Sequence, residues 1–390
     1  METKKIHVLQ VTGTMNRGGA EVMLMDIYRN ISKDIHFDFL VNYNLKKGIS
    51  KGDFDDEIIA LGGRIEYIPA QWDTGLPKYI SAFKKVLKEI GKPDIVHIHL
   101  SSKSGVIAMA ARRAGIKNVI IHSHADLKFR GSLISRVLAS AELVFQKLLI
   151  ASFADYYWGC SIEANNSLFY KYLQTKNRPV VINNAVDVNV FQKVSQADVI
   201  ALCESYGGTK DTLILGNIGR VVGHKNVAFI LDILKELSNR NIDFRFVFAG
   251  RADQPAYLEE IFNKAEAYGI AEKIIYLDVR DDIQNIVSTF DVFVGPALKE
   301  GFGLVAVEAQ ATGTPCVLYT GFPKSVDMQL GLVTFLDNFD VRQWTESILK
   351  TRNSKCRDKK LIWDKITAMG FDIRSNTRNI EKLYKKYGAE

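Results

Sequence analysis

Short apolar strands alternate with amphipathic helices along almost the whole chain, in two successive series. The predicted strands of the first series are Ile6–Val11, Phe37–Val41, Ile65–Ile68, Ile95–His99 and Val119–His122. Those of the second series are Leu213–Ile218, Phe244–Ala249, Ile274–Leu277, Val292–Val294 and Pro315–Leu318. Strands separated by helices are typical of parallel sheets built from βαβ units. The pattern therefore predicts an α/β protein with two doubly wound, Rossmann-like sheets.

The length of 390 residues is sufficient for two such domains. We predict an N-terminal domain over residues 1–185 and a C-terminal domain over 186–371, with a helix over about 372–390 packing back onto the first. The polar stretch Gln192–Asp211 is interpreted as the connection. Ligands of open α/β sheets bind at the carboxyl ends of the strands. Site residues are therefore expected at strand ends, facing a cleft between the domains.

Positive charge is concentrated in the first half of the chain. Residues 1–193 hold 26 Lys and Arg against 18 Asp and Glu, and residues 101–150 hold 8 against 2. Anionic lipid is favoured over nucleic acid as the partner, because no module of interleaved basic and aromatic residues is recognisable. The first residues lack the features of a signal peptide. We expect a cytoplasmic protein, peripheral on the inner face of the plasma membrane.

The segment from Gly295 to Pro315 contains the most specific motif of the chain. It places Glu300 in a strand-to-helix loop and Glu308 two turns into the following helix. Between them, glycines allow close backbone approach, and the N–H groups of Phe302–Val305 form an anion site suited to a pyrophosphate. The alternative is that both glutamates are ordinary helix residues. The flanking glycines and prolines favour a ligand site, with one carboxylate for sugar hydroxyls and one for a ribose.

Two cations are predicted at the same edge of this sheet. Arg220 follows the strand Leu213–Ile218, and Lys225 lies five residues further on. Together they could neutralise a diphosphate leaving group without a metal ion. A surface pair is the alternative, which the nearby glutamate motif disfavours. Gly250, after the next strand, is predicted to be small because the nucleotide passes over it.

In the first half, the loop before the first helix contains Gly18 and Gly19, which are expected to offer N–H groups to the donor. The loop lacks the G-x-G-x-x-G spacing of a dinucleotide site. A D-x-D pattern at Asp53–Glu57 could bind a metal-nucleotide. It opens a predicted helix, however, so acidic residues of a first helical turn are the better explanation.

Two histidine pairs, His97 with His99 and His122 with His124, end buried strands. Such pairs hold zinc in some hydrolases. For His97 and His99 a core or cleft-rim role is favoured, because no acidic ligand cluster accompanies them. His124, with Asp126 close by, is the first-domain candidate for catalysis. The four cysteines have no CxxC spacing, and neither a zinc site nor a disulfide is expected.

Helix 132–153 has a long apolar stripe, interrupted by Arg136, Glu142 and Lys147. These charges argue against a membrane span. Packing in the core is favoured for the stripe. Because Lys128 and Arg130 precede the helix, an edge that touches the membrane is the alternative.

Taken together, these motifs resemble glycosyltransferase family 4, the retaining GT-B enzymes that build bacterial surface polysaccharides. The residues that carry the resemblance are Gly18–Glu21, Asp94–His97, Ile121–His124, Cys160–Glu163, Asn183–Asp187, Gly219, Arg220, Lys225 and Glu300–Glu308. The resemblance implies that Arg220 and Lys225 hold the donor diphosphate and Glu300 the transferred sugar. It also implies that Glu308 binds the ribose and His124 a sugar hydroxyl.

The predicted donor-binding residues are Gly18, Gly19, Gly219, Arg220, Lys225, Gly250, Glu300, Gly301, Phe302, Gly303, Leu304 and Glu308. His124, Arg220, Lys225 and Glu300 are the catalytic candidates. The expected substrates are a nucleotide-diphosphate sugar and a glycan or polyprenyl-diphosphate-linked acceptor, with neither metal nor cofactor. Retention is attributed to front-face attack, in which the leaving phosphate takes the acceptor proton. A sugar-nucleotide epimerase, a metal-dependent hydrolase and a catalytically silent scaffold are the alternatives.

Overall fold

The computed structural model of the chain describes residues 5–124, 127, 132–170 and 178–389. The chain divides into two compact units, Met1–Ala185 together with Ile373–Glu390, and Val186–Asp372. One parallel sheet forms the centre of each unit, seven-stranded in the first and six-stranded in the second. The predicted α/β class with two doubly wound sheets is therefore confirmed.

The sheet of the first unit has the order β3-β2-β1-β4-β5-β6-β7. Its strands are β1 Ile6–Thr12, β2 Ile35–Tyr43, β3 Ile65–Pro69, β4 Ile95–Ile98, β5 Asn118–Ser123, β6 Tyr156–Gly159 and β7 Val180–Val181. Val8, Leu9 and Val11 of β1 are fully buried, as expected for a parallel strand covered on both faces. The strand order reverses between β1 and β4, so the ends of these two strands flank the topological switch point.

Helices cover both faces of this sheet. They are α1 Gly19–Asn30, α2 Asp55–Ala60, α3 Gln71–Thr74, α4 Leu76–Ile90, α5 Ser104–Arg113, α6 Leu133–Phe153, α7 Ile162–Leu168 and, at the end of the chain, α16 Ile373–Ala389. Helix α16 buries Ile380, Tyr384 and Tyr387 in the same apolar cluster as residues of β1 and β2. The ring of Tyr387 stacks on that of Tyr156, with centroids 3.5 Å apart. The last helix is therefore a core element of the first unit.

The sheet of the second unit has the order β10-β9-β8-β11-β12-β13. Its strands are β8 Leu213–Ile218, β9 Phe244–Ala249, β10 Ile274–Tyr276, β11 Val292–Gly295, β12 Cys316–Tyr319 and β13 Val333–Leu336. The helices are α8 Val188–Gln192, α9 Gln196–Ser205, α10 Val227–Asn239, α11 Pro255–Ala267, α12 Ile283–Thr289, α13 Leu304–Ala311, α14 Val341–Thr351 and α15 Lys359–Ala368. Here the order reverses between β8 and β11, which places the switch point at their carboxyl ends.

The stretch Gln192–Asp211 differs from its interpretation as a connection, because it contains helix α9 and belongs to the second unit. Leu202 and Cys203 pack against the apolar core there, and both are only partly buried. A helix with so shallow a contact has a weak apolar period. This explains why the sequence suggested an irregular segment.

Helix α6 projects much of its apolar stripe to solvent, so the favoured prediction of core packing is wrong for most of it. Six large side chains are at least half exposed: Ile134, Val137, Leu138, Val144, Phe145 and Leu148. Their spacing of three and four residues places them on one face of the helix. Gln146 and Ile150 point the opposite way and are buried. Among the described helices, none is long and apolar enough to cross a membrane.

Candidate active site

The loops that follow β8 and β11 lie side by side at the switch point of the second unit. The two strands pair in parallel, and the side chain of Asn217 in β8 donates a hydrogen bond to the carbonyl oxygen of Val294 in β11, at 2.8 Å. Arg220 and Lys225 follow the first strand, and Glu300 follows the second. Both predicted cations therefore start from the same sheet edge as the predicted sugar-binding carboxylate.

Lys225 and Glu300 form an ion pair between Nζ and Oε1. Both side chains are sheltered, with 16% and 11% of their surface exposed. Lys225 ends a 3-10 turn that begins at Gly223, whose N–H donates to Oε1 of Gln254, at 3.0 Å. On the other side, the N–H of Glu300 donates to the carbonyl of Gly321, at 2.9 Å. The pair is thus held by backbone contacts from both loops.

Arg220 is more exposed and faces a carboxylate that the sequence analysis missed. Its Nη1 atom lies 3.2 Å from Oδ2 of Asp253, and Oδ1 of the same carboxylate accepts from Nε of Arg251 at 2.7 Å. The bond from Arg251, followed by the Arg220 contact, lowers the pKa of Asp253. A signal for Asp253 existed, because β9 ends at Ala249 beside β8 and so brings the following residues to the same edge.

The glycine-rich loop before α13 leaves several donors free for an anion. The N–H groups from Gly301 to Val305 make no backbone hydrogen bond within the described ranges. A Cβ atom on Gly301 would meet nothing within 4 Å, and its backbone is outside the left-handed region. No structural need in the free protein therefore explains that glycine. Open space beside unused N–H groups at a helix start suits a phosphate.

Other residues of the same loop have structural roles. Gly303 has a φ of 85°, and a Cβ there would lie 2.5 Å from the ring of Phe322. The ring of Phe302 stacks on Phe371, with centroids 4.9 Å apart, and Leu304 packs against the core. These two side chains anchor the loop, so only their N–H groups could serve a donor. Glu308 lies little more than one turn into α13, closer to the helix start than the predicted two turns, and is partly buried.

The structure explains why residue 250 is a glycine by a close contact within the protein, not by the predicted passage of a nucleotide. Its φ is 137°, and a Cβ would lie 2.1 Å from the carbonyl oxygen of Gly219. Larger residues are thus excluded by the neighbouring loop itself. Contact of the donor with Gly219 or Gly250 stays a prediction.

In the first unit, helix α1 begins at Gly19 with Gly18 as its N-cap. The N–H of Gly18 donates to the carbonyl of Asn16, at 2.8 Å. It is therefore not available to the donor, contrary to the expectation. The space around a Cβ on Gly19 is open. Of the two glycines, Gly19 therefore remains the better candidate for a donor contact.

Asp55, Asp56 and Glu57 lie in the first turn of α2, which confirms the helix-start explanation for these three residues. Asp53 precedes the N-cap and accepts a hydrogen bond from the N–H of Arg17, at 3.1 Å. Asp55 is buried and accepts hydrogen bonds from the N–H of Gly52 and the hydroxyl of Tyr67. Asp56 pairs with Lys51, and Glu57 is bound by Arg29. These carboxylates therefore already bind partners within the first unit.

The four histidines of the two pairs form one cluster near the ends of β4 and β5. His97, His99 and His122 are 2%, 9% and 0% exposed, and His124 is partly exposed. Ring centroids are 4.1 Å apart for His97 and His99, and 4.2 Å apart for His122 and His124. Burial lowers the pKa of His124 to about 4 and those of the other three well below their usual value. All four are neutral at pH 7.

His97, His99 and His122 each place a ring nitrogen within 4.8 Å of the others, which meets the distance requirement for a metal site. His99, however, uses both nitrogens, Nδ1 with His124 and Nε2 with Gln10, each at 2.8 Å. Within this group, nitrogens without a partner remain on His97 and His122. Two available ligands do not complete a three-histidine site. Asp126 lies outside the described residues.

Two family models match the chain, one to each half. Residues 17–190 match the model described as Glycosyltransferase Family 4, and residues 201–350 match the model described as Glycosyl transferases group 1. EpsF of Bacillus subtilis, which is named as a glycosyltransferase, is 32% identical over 98% of this chain and 97% of its own length. An Escherichia coli UDP-Gal:alpha-D-GlcNAc-diphosphoundecaprenol alpha-1,3-galactosyltransferase is 28% identical over 78% of each chain.

A solved structure has the same fold. HepE of Anabaena, in complex with UDP and glucose, superposes with a TM-score of 0.75 at 18% identity. The match covers 97% of this chain and 99% of HepE. At this identity the likeness concerns the fold alone, and it agrees with two Rossmann-like units in one chain.

Proposed function

Because the chain belongs to glycosyltransferase family 4, we propose that it transfers a sugar from a nucleoside-diphosphate donor to a glycan or polyprenyl-diphosphate-linked acceptor in surface polysaccharide synthesis. The observation that carries the proposal is the sheltered ion pair of Lys225 and Glu300 beside the unused N–H groups of α13. Such a site offers positive charge to a diphosphate and a carboxylate to sugar hydroxyls. A sugar-nucleotide epimerase would use the same donor site without an acceptor.

The donor is assigned to these groups by their chemistry. Arg220, Lys225 and the N–H groups of Gly301–Val305 bind the diphosphate and stabilise the charge that grows on it as the glycosidic bond breaks. Glu300 binds the transferred sugar, and Glu308 accepts hydrogen bonds from the ribose. His124 of the first unit binds a sugar hydroxyl. Retention follows if the acceptor attacks the same face and the leaving phosphate takes its proton.

The choice of substrates to test rests on the relatives. The Escherichia coli relative is named for UDP-galactose and a diphosphoundecaprenol-linked acceptor, and HepE was solved with UDP and glucose. We therefore propose a UDP-hexose donor and a sugar on a polyprenyl diphosphate as acceptor. UDP-galactose and UDP-glucose are the first donors to test.

Transfer is expected to continue in excess EDTA, because two cations and five N–H groups can neutralise the diphosphate. The measurement uses the purified full chain, UDP-galactose or UDP-glucose and an undecaprenyl-diphosphate-linked N-acetylglucosamine acceptor. NMR of the product then gives the anomeric configuration, which should match that of the donor. Loss of transfer in EDTA that manganese or magnesium restores would contradict metal independence, and an inverted product would contradict retention.

Peripheral attachment to an anionic membrane is also part of the proposal. The exposed apolar stripe of α6, residues 134–148, lies in the half of the chain that carries the excess of positive charge. Apolar side chains that enter the interface, with basic residues near anionic headgroups, are the two contributions that hold an amphipathic helix on a membrane. A lipid-linked acceptor would be presented at that same surface.

The chain is expected to sediment with anionic vesicles and to be released as salt increases. The double change Leu138→Ser and Phe145→Ser should weaken partition at least about tenfold, because burying each such side chain contributes roughly 1.5–3 kcal/mol. Ile162→Ser is the matched control, since Ile162 is 64% exposed but lies on α7. Equal binding to neutral and anionic vesicles would contradict the proposed electrostatic contribution to membrane binding. Self-association that the double change abolishes, without vesicle binding, would identify a second copy of the chain as the occupant.

A further inference from the structure

His7, His36 and Asp38 meet at the amino-terminal edge of the first sheet, where β1 and β2 lie side by side. The register pairs His7 directly with His36, and Asp38 lies two residues further along β2. Because side chains alternate along a strand, and partners across a parallel pair point the same way, all three project from one face of the sheet. The two imidazole centroids are 5.4 Å apart. Two rings and a carboxylate are therefore brought together at this edge.

Both rings direct the same nitrogen at the carboxylate. Nε2 of His7 lies 2.9 Å from Oδ2 of Asp38, and Nε2 of His36 lies 3.0 Å from Oδ1. Each of the three residues offers one ligand atom within 4.8 Å of the other two. A tetrahedral zinc ion with bonds of about 2.0–2.1 Å separates its ligand atoms by roughly 3.3 Å. The two nitrogen–oxygen contacts are within a few tenths of an ångström of that separation.

Arg64 holds the carboxylate in place and opposes a cation only weakly. Its N–H donates to Oδ1 of Asp38, at 2.9 Å, and its Nη2 donates to Oδ2, at 3.3 Å. The shorter bond of Nη2, 2.9 Å, goes to the carbonyl of Ile90 at the end of α4. The Arg64 side chain is 54% exposed, so water screens its charge. Carboxylates that bind metals are commonly oriented by hydrogen bonds from outside the ligand set, as the N–H of Arg64 does here.

The exposure of the three side chains leaves a path for an ion. Asp38 is 1% exposed, whereas His7 is 19% and His36 37% exposed. The charged group is thus buried behind two rings that reach solvent. An ion that enters between the rings meets both Nε2 atoms and the carboxylate, and it keeps its remaining position for water.

We infer that His7, His36 and Asp38 form a structural binding site for a divalent transition-metal ion, with zinc as the first candidate. Imidazole and carboxylate are ligands that zinc takes in proteins, and each ring presents a lone pair at Nε2 when its proton is on Nδ1. The ion replaces the two contacts between Nε2 and Asp38 with metal bonds. Because its ligands come from both strands, it joins the start of β1 to the start of β2.

The site does not depend on the proposed function. It lies at the amino ends of β1 and β2, whereas ligands of open α/β sheets bind beyond the carboxyl ends. Removal of the ion is therefore compatible with sugar transfer in excess EDTA. The spacing of residues along the chain did not indicate a zinc site here, because the two histidines come together only when β1 pairs with β2.

Zinc binding is measured on the untagged full chain after its metal has been removed with EDTA. One equivalent of zinc is expected to bind at micromolar or lower free concentration, in competition with a chromophoric chelator. X-ray absorption of the bound zinc should show nitrogen and oxygen ligands at about 2.0–2.1 Å, two of them imidazole. Zinc should also raise the midpoint of thermal unfolding, because it binds the folded chain in preference.

His36→Gln should weaken zinc affinity at least about 10-fold to 100-fold, since even the loss of a partner behind a metal ligand has that effect. His7→Gln should do the same. In both variants the zinc-dependent rise in the unfolding midpoint should disappear. His224→Gln, at an exposed position of the second unit, is the matched control and should bind zinc as the wild type does.

An ion pair without a metal would make these two variants less stable, but the wild type would not respond to zinc. Absence of stoichiometric zinc from the wild type would therefore overturn the inference, and so would zinc binding that survives both His7→Gln and His36→Gln. Neither result involves sugar transfer. Failure of the metal site would leave the proposed function untouched, and absence of transfer from any UDP-sugar would leave the metal site untouched.

Discussion

Lys225→Ala is expected to lower kcat/KM for the nucleotide sugar by roughly 10²–10³-fold, the usual loss when one preorganised charge-stabilising group is removed. It should also weaken binding of free UDP, because the lysine would face charge already present on the ground-state diphosphate. Arg220→Ala should act in the same direction. Arg220 starts from a contact with Asp253 that the diphosphate must replace, so its effect on UDP affinity should be smaller.

Glu300→Gln should separate turnover from nucleotide binding. In the free protein Glu300 competes with a diphosphate for Lys225. Removing its charge should therefore leave UDP affinity unchanged or raise it. Turnover should fall, because the carboxylate is assigned to the transferred sugar, which UDP lacks.

Glu308→Gln is the third arm of the same experiment. It should weaken UDP binding by about 1–3 kcal/mol, the value of hydrogen bonds to a charged group. Calorimetry with UDP and steady-state kinetics with the full donor measure the two effects. Arg240→Ala is the control, since Arg240 follows the C-terminal end of α10 and pairs with Glu236 and Glu346. If Glu300→Gln abolished UDP binding while Glu308→Gln changed nothing, the assigned orientation of the donor would be wrong.

The first unit is expected to lose stability steeply between about pH 6.5 and pH 4. The four clustered histidines have lowered pKa values when folded and about 6.5 when unfolded, so the unfolded state binds more protons in this range. The free energy of unfolding therefore rises with pH in this range, and it falls as the pH is lowered from about 6.5 to 4. Each proton contributes about 1.4 kcal/mol per pH unit, and four give on the order of 5 kcal/mol per unit below pH 6.

Urea unfolding of the full chain at a series of pH values measures this slope. His122→Leu should reduce it by about one proton, roughly 1.4 kcal/mol per pH unit. His122 suits this test because it is fully buried and both of its ring nitrogens lack a partner among the described residues. His224→Gln, at an exposed position of the second unit, is the control. If His122→Leu left the slope unchanged, His122 would take up its proton equally in the folded and unfolded states, and the prediction would be wrong.

Sequence periodicity was sufficient to identify the fold class. An apolar strand must be buried on both faces of a parallel sheet, and that requirement is visible in local runs such as those of β1 and β8. The same logic placed Arg220, Lys225 and Glu300 at one sheet edge, because parallel strands end on the same side. Glycines were harder to interpret. The close approach that Gly250 permits comes from Gly219, and only the coordinates of both loops reveal it.

Contacts between residues far apart in the chain were decided by tertiary structure alone. Gln10 and Tyr384 are 374 positions apart, and they meet because the last helix returns to the first unit. Asp253 reaches Arg220 only through the order of the strands. The outward orientation of the apolar stripe on α6 is of the same kind, since a periodic pattern defines a face but not what covers it. Local sequence thus determined the elements and the chemistry at their ends, whereas pairing required the packing of distant elements, because a side chain's partners depend on distances in space and not along the chain.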